Sequence, residues 1–151
     1  MDKKKKTCCF TGSRSCSLSF SYVYDVVLNL IEEGFCFFGA GGAIGFDTLV
    51  AKGVIKAKEA HPHIKLILVL PFPEQPKLFT SAQKKEYFEL IKKADKIVYI
   101  DNKYSNDAYL RRNRHLVACS SLCVAFCPRC SGGAYYTARY AYAVGVPVRF
   151  V

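Results

Sequence analysis

"FFGAGGAIGFDTLVAKG", Phe37 to Gly53, runs from an apolar, strand-like segment through a glycine-dense turn into a helical pattern. Glycine weakens strand and helix interiors alike, so such a density at a strand-to-helix turn means that the backbone must come close to something there. The same alternation of strand and helix continues outward on both sides. Upstream, "KTCCFTG" reads as a first strand ending in a glycine turn. Val23, Tyr24, Val27, Leu30 and Ile31 then form a helical face that stops at Gly34. "FCFFG" is the second strand, and a helix is expected from Ile44 to Ala60. Downstream, "IKLILVLPF" is the continuous apolar run that a strand buried on both faces requires. Further helices are expected over Ser81–Ala94, Asn106–Cys119 and Gly133–Val144, and strands at "KIVYI", "LCVAFC" and "PVRFV".

This alternation specifies an α/β fold: a three-layer α/β/α sandwich around a mainly parallel sheet of about six strands. The chain has 151 residues, enough for one domain that buries roughly 70% of the surface its unfolded form exposes. Residues 1–6 read as a basic N-terminal tail, with Lys3 to Lys6 solvated, and 7–151 as the single domain. No apolar run approaches the ~18 residues of a membrane span, and no signal-peptide core follows the first lysines. A cytoplasmic protein is therefore expected. The eight cysteines include a single CxxC, Cys127 and Cys130, with no histidine at ligand spacing, so thiols in a reducing compartment are expected rather than a metal site. The formal net charge of +10 suits an anionic partner, nucleotide or nucleic acid.

Open parallel sheets bind ligands beyond the carboxyl ends of their strands, where the strand order reverses. The loops after the strands are thus the ones to read: Thr11–Arg14, Gly39–Asp47, Pro71–Pro76, Asp101–Ser105 and Pro128–Gly133. Glycines at such turns let backbone amides face an anion, and the helix N-terminus adds favourable partial charge. "TGSR" offers Gly12, the Ser13 hydroxyl and Arg14. "GAGGAIGFD" offers Gly39, Gly41, Gly42 and Gly45 with Asp47 at the helix start. "CSGGAYYT" offers Ser131, Gly132, Gly133 and Thr137. Each could equally be only a tight connection, but three on one sheet edge suit a phosphate-bearing ligand.

Two familiar phosphate motifs are excluded. No glycine is followed by the Lys-Ser/Thr pair of a P-loop. Gly39, Gly41 and Gly45 mimic a dinucleotide fingerprint, yet they follow the second strand, and the next strand ends in "LPFP" without a ribose-binding carboxylate. A nicotinamide-dependent dehydrogenase is thus disfavoured, and nothing calls for a cofactor. Asp47 has two readings, one as a tie for loop amides and one as an acceptor for a ribose or base. Arg111, Arg112, Asn113, Arg114 and His115 in "YLRRNRHLVACSS" form either a solvated basic face or part of a site.

Taken together, "TGSR", "GAGGAIGFD", "LPFPEQ", "LRRNRHLVACS" and "SGGAYYTARYAYAVGVPV" resemble the SLOG superfamily, the Rossmann-like group that includes DprA and the LOG phosphoribohydrolases. The likeness is greatest to its bacterial YpsA-like branch, and it covers nearly the whole chain in order. It implies a Rossmann-like fold, binding of nucleotides or nucleotide-derived ligands, and self-association into a homo-oligomer. Carried over by position, the implied ligand-side residues are Gly12, Ser13, Arg14, Gly41, Gly42, Gly45, Asp47, Arg112, Asn113, Gly132, Gly133 and Thr137, beside Ser131 of the same turn. LOG-type enzymes have a Pro-Gly-Gly-x-Gly-Thr turn followed by a glutamate that serves glycosidic cleavage. Here the turn reads Cys130-Ser131-Gly132-Gly133-Ala134, and Thr137 is followed by Ala138 and Arg139. Cleavage develops oxocarbenium character, which a carboxylate stabilises and a cation opposes.

The leading expectation is therefore a module that senses or sequesters a nucleotide or nucleotide-derived ligand. The first alternative is a nucleotide hydrolase or phosphoribohydrolase using Asp47 with Arg112. The second is single-stranded nucleic-acid binding as in DprA, drawing on the charge excess and on Tyr104, Tyr109, Tyr135 and Tyr136.

Overall fold

Thr7–Gly12 enters the sheet as strand β1, and its residues from Thr7 to Thr11 are all buried, because both of its faces are covered. Cys8 and Phe10 point into one apolar layer and Cys9 into the other. The computed structural model describes residues 2–151. Six strands form one sheet: β1, β2 (Phe37–Ala40), β3 (Lys65–Leu70), β4 (Lys96–Tyr99), β5 (Leu122–Phe126) and β6 (Val148–Phe150). Every pairing is parallel, in the order β4-β3-β2-β1-β5-β6. The fold is a Rossmann-like α/β sandwich.

From β1 the chain steps outward to β4 on one side, then crosses back to start β5 on the other. Helices α1 (Phe20–Glu32), α2 (Phe46–Ala60) and α3 (Ser81–Lys93) cover the face of Phe10, Phe38, Leu68 and Val124. Helices α4 (Ala108–Ala118) and α5 (Gly133–Ala143) cover the face of Cys9, Val69 and Cys123. The reversal lies between β1 and β5, and the loops leaving those two strands flank the crevice where such sheets hold ligands.

Element ends follow local chemistry. The Ser19 side chain caps α1 by accepting from the Tyr22 amide at 3.1 Å, and Thr80 and Gln83 make a reciprocal capping box on α3. Strand β3 stops at Leu70, short of the expected Phe72, where Pro71 removes a ladder donor. Helix α2 starts at Phe46 rather than Ile44, because Gly45 sits at φ +82° outside the helical region.

Lys3–Lys6, expected as part of a solvated tail, form a 3-10 turn. Asp2 accepts from the Lys4 amide at 3.0 Å, and the Lys3 ammonium lies 4.7 Å from the Phe37 ring centroid. Met1, also assigned to that tail, lies outside the described residues. No described helix is long and apolar enough to cross a membrane.

Candidate functional site

A cleft of about 300 Å³ opens beyond the carboxyl ends of β1 and β5. Its first wall is the β1 exit. Gly12 pairs with Phe126, and the Ser13 amide donates to the Phe126 carbonyl at 3.2 Å, so the two strands leave the sheet together. The Ser13 carbonyl accepts from the Phe46 amide at 3.1 Å and its hydroxyl from the Ser15 amide at 3.1 Å, which pins this loop to the start of α2. Arg14 follows, exposed, with its guanidinium 5.9 Å from the Tyr109 ring centroid.

The second wall combines α2 and α4. Asp47 lines the cleft at 6% exposure, and its Oδ2 accepts from the Ala43 amide at 3.2 Å. Burial pushes its carboxyl up to about 6, against the opposing pull of Arg112, the loop amides and Arg14. Arg112 is 5% exposed. Its Nη1 donates to the Gly41 carbonyl and its Nε to Asn113 Oδ1 at 2.7 Å. Burial lowers the basicity of this guanidinium, and Asp47 is the main group holding it up. The same Gly41 carbonyl accepts from Gln75 Nε2 at 3.3 Å. Two buried side chains from distant parts of the chain thus converge on one loop carbonyl.

The third wall is the β5–α5 turn, with Cys127, Pro128, Arg129 and Ser131 leading to Gly132 and Gly133. Gly132 sits at φ +90°, and no side chain caps α5. A Cβ added at Gly132 or Gly133 would meet nothing within 4 Å. The space beside the two glycines is thus open, and no side-chain oxygen opposes the dipole at the start of α5. Burial raises the Cys127 thiol, Cys130 is exposed, and neither is in a disulfide. Among the described residues no group of three or more His, Cys, Asp or Glu side chains could hold a metal ion.

Of the residues anticipated for the site, Gly12, Ser13, Arg14, Asp47, Arg112, Asn113, Ser131, Gly132 and Gly133 line this one cleft. Gly41, Gly42, Gly45 and Thr137 do not. A Cβ on Gly41 would run into the Arg112 guanidinium, one on Gly42 into Leu70, and one on Gly45 into the Arg14 and Ser13 carbonyls. What approaches the glycine-dense loop in this structure is the protein itself. Thr137 is buried, and its hydroxyl donates back to the Gly133 carbonyl at 2.9 Å. Arg129 also lines the cleft. Its signal was its place in "CPRC", between a strand end and a glycine turn.

Comparison with known proteins agrees with this architecture. The YpsA family model, described as the YspA SLOG family, matches residues 14–139. The UPF0398 protein BH1768 of Halalkalibacterium halodurans is 39% identical over 93 residues, covering 60% of this chain and 49% of that protein. An uncharacterized SPbeta prophage-derived protein of Bacillus subtilis, YoqJ, is 39% identical over 64 residues, covering 42% of this chain and 37% of that one. The chain thus matches half or less of these curated relatives' length. Among solved structures, DNA processing protein A (DprA) of Streptococcus pneumoniae superposes with a TM-score of 0.72 at 17% identity, covering 98% of this chain and 50% of that one. DprA of Helicobacter pylori gives 0.72 at 19% identity, covering 97% and 65%. At these identities the likeness is one of fold. The family match spans most of the chain, from the arginine of "TGSR" to the arginine of "YYTAR", and the chain belongs to the SLOG family that it describes.

Proposed function

We propose that this chain binds a nucleotide or nucleotide-derived ligand as a sensing or sequestering module, with a ligand phosphate at the Gly132–Gly133 turn. The observation that carries this reading is the uncapped start of α5, opening on the β1/β5 cleft beside Arg14 and Arg129. Both arginines are exposed, whereas Arg112 already serves Gly41 and Asn113. Helix N-terminal amides and free guanidinium groups are the donors that phosphate oxygens require. Asp47, buried and bonded to the Ala43 amide, ties the β2–α2 loop in place.

The test is thermal unfolding and calorimetric titration of the purified chain against nucleotides, cyclic nucleotides and ADP-ribose derivatives. A ligand at about 100 times its dissociation constant adds roughly 2.7 kcal/mol of stability. Binding without release of free base or ribose phosphate supports the module. Turnover that disappears in Asp47→Asn would replace it with a LOG-type hydrolase.

One observation favours a second reading, single-stranded DNA. The Helicobacter pylori DprA structure is described as showing a single-stranded DNA binding mode. On this chain Arg114 lies over Tyr136 and Tyr140 at 5.9 and 5.0 Å, on the exposed side of α4 and α5. Aromatic rings interleaved with cations suit stacked bases, and such binding weakens steeply with salt. Oligonucleotide binding that falls with salt, with no mononucleotide binding, would favour this reading.

A further inference from the structure

A second cavity of about 680 Å³ adjoins the cleft, and Arg14, Ala43 and Tyr109 line both. We propose that this cavity is the nucleobase subsite of the ligand whose phosphate sits at the Gly132–Gly133 turn; the inference rests on that phosphate reading. The ligand would then be a nucleoside phosphate recognised through its ring, rather than a sugar phosphate or an inorganic anion.

The walls favour a planar aromatic guest. Phe72 stands edge-on to Tyr104 and to Tyr109, with ring centroids 5.5 and 5.4 Å apart and interplanar angles of 79° and 84°. Phe72 is buried and fixed after Pro71, while Tyr109 has the guanidinium groups of Arg14 and Arg112 at 5.9 and 5.7 Å. The lining is thus preorganised on one side. On the outer side Tyr104 is 63% exposed and Leu78 94% exposed, large apolar surfaces that the fold itself leaves uncovered. A base stacked against Tyr104 and under Leu78 would cover both.

Polar groups stand around this apolar lining. Glu74, Lys77 and Lys103 offer both acceptors and donors to the edge of a base, while the Gln83 carbonyl oxygen is held by the Thr80 amide at 2.9 Å. Gln75 is already committed, donating to the Gly41 carbonyl and accepting from the Tyr87 hydroxyl at 3.5 Å, so it shapes the floor. Arg14 belongs to both spaces. A ligand spanning them passes this guanidinium, which is placed to neutralise its phosphate while the base lies beyond Tyr109. Ring on one side and anion on the other is the layout of a nucleoside phosphate. Small-molecule sites commonly have this form, an apolar body with a few placed polar groups.

The experiment compares ribose 5-phosphate with AMP, GMP, CMP, UMP and ADP-ribose by calorimetric titration. The proteins are the wild-type chain, Tyr104→Ala and Gly133→Asp. Tyr104 is largely exposed, bonded through its hydroxyl to Asn106 and touching Phe72 with one ring edge, and Gly133 has open space beside it, so both variants should fold. At least one base-bearing compound should bind wild type about tenfold or more tighter than ribose 5-phosphate. Tyr104→Ala should weaken that compound by roughly fivefold or more and leave ribose 5-phosphate within about twofold. Gly133→Asp should abolish binding of both. Equal affinity for ribose 5-phosphate and the base-bearing compounds would overturn the base subsite and leave the phosphate reading standing. So would a Tyr104→Ala variant that binds them as wild type does. No binding of any of these compounds to folded wild type would overturn the phosphate reading and the base subsite with it.

Discussion

Two glycine turns leave the same edge of the sheet and do opposite things. After β2, Gly41, Gly42 and Gly45 are pressed against Arg112, Leu70 and the Ser13–Arg14 backbone. After β5, Gly132 and Gly133 face empty space at the mouth of the cleft. Both look alike in sequence, because glycine records that the backbone is approached and says nothing of what approaches it. In the first turn the approach is intramolecular, and its product is a rigid wall on which Asp47 and Arg112 are held. In the second turn no described part of the protein fills the space beside the glycines.

The largest expected effect breaks the packed turn. Gly45 combines φ +82° with the Arg14 and Ser13 carbonyls where a Cβ would sit. These are backbone atoms, so relief requires moving the β1 exit itself. Gly45→Ala should cost about 3 kcal/mol or more, measured by urea unfolding at neutral pH. The loss should appear with no ligand present. A change below about 1 kcal/mol would mean that the loop is not clamped by the β1 exit.

Next in size is the titration of Asp47. Its carboxyl ionises near pH 6 when folded and near 3.9 in an unfolded chain. Between these values the folded state holds the proton more tightly, so this group's contribution to stability rises as the pH falls from about 6 to 4. Above that window its ionised form carries the full burial penalty. Other carboxylates behave in the opposite sense. Glu33, Asp101 and Asp107 are held below the usual carboxylate range by Arg149, by Ser105 with Arg111, and by Arg111 respectively, and lose their contribution in acid. The contribution of Asp47 is therefore isolated by difference. The stability of wild type minus that of Asp47→Asn should increase by on the order of 2–3 kcal/mol between pH 7 and pH 4. The lost charge on Arg112's partner shifts this difference by a constant and leaves its slope intact. A flat difference would place Asp47 in contact with solvent, outside the buried wall.

How much of this was readable in advance differs between fold and site. The order of strands and helices follows from periodicity, since parallel strands such as Leu66–Leu70 are apolar on both faces and the helices carry single apolar stripes. The pairing of β1 with β5 is not local. It joins residues more than a hundred positions apart, and without it no one of the five loops after the strands stands out as the site. Ser13, Arg14, Ser131 and Gly133 were legible as anion-facing residue types at strand ends. Arg112 was legible as a site residue, but its engagement with the Gly41 carbonyl was not, because nothing local marks which carbonyl a helical arginine will reach. The sequence marks Tyr109 only as a ring for stacking. Its position between Arg14, Arg112 and Phe72 depends on three separate segments meeting.

The smallest effect on stability is the sharpest separator of the two turns. Gly133 is the first residue of α5 and has no positive φ, and a Cβ there meets nothing. Gly133→Ala should change stability by less than about 1 kcal/mol, with stabilisation the expected sign, since the unfolded chain loses freedom and no native contact is strained. The same replacement at Gly45 is expected to be severe, so the pair of alanine variants measures packing alone. Gly133→Asp then adds an anion where the ligand phosphate is expected. Its carboxylate is favoured by the dipole of α5, so the fold should be retained while a ligand phosphate is repelled and its amides are occupied. Wild-type stability with lost nucleotide binding assigns the open turn to the ligand. A fold lost in Gly133→Asp but kept in Gly133→Ala would show that this turn, too, is closed by the protein itself.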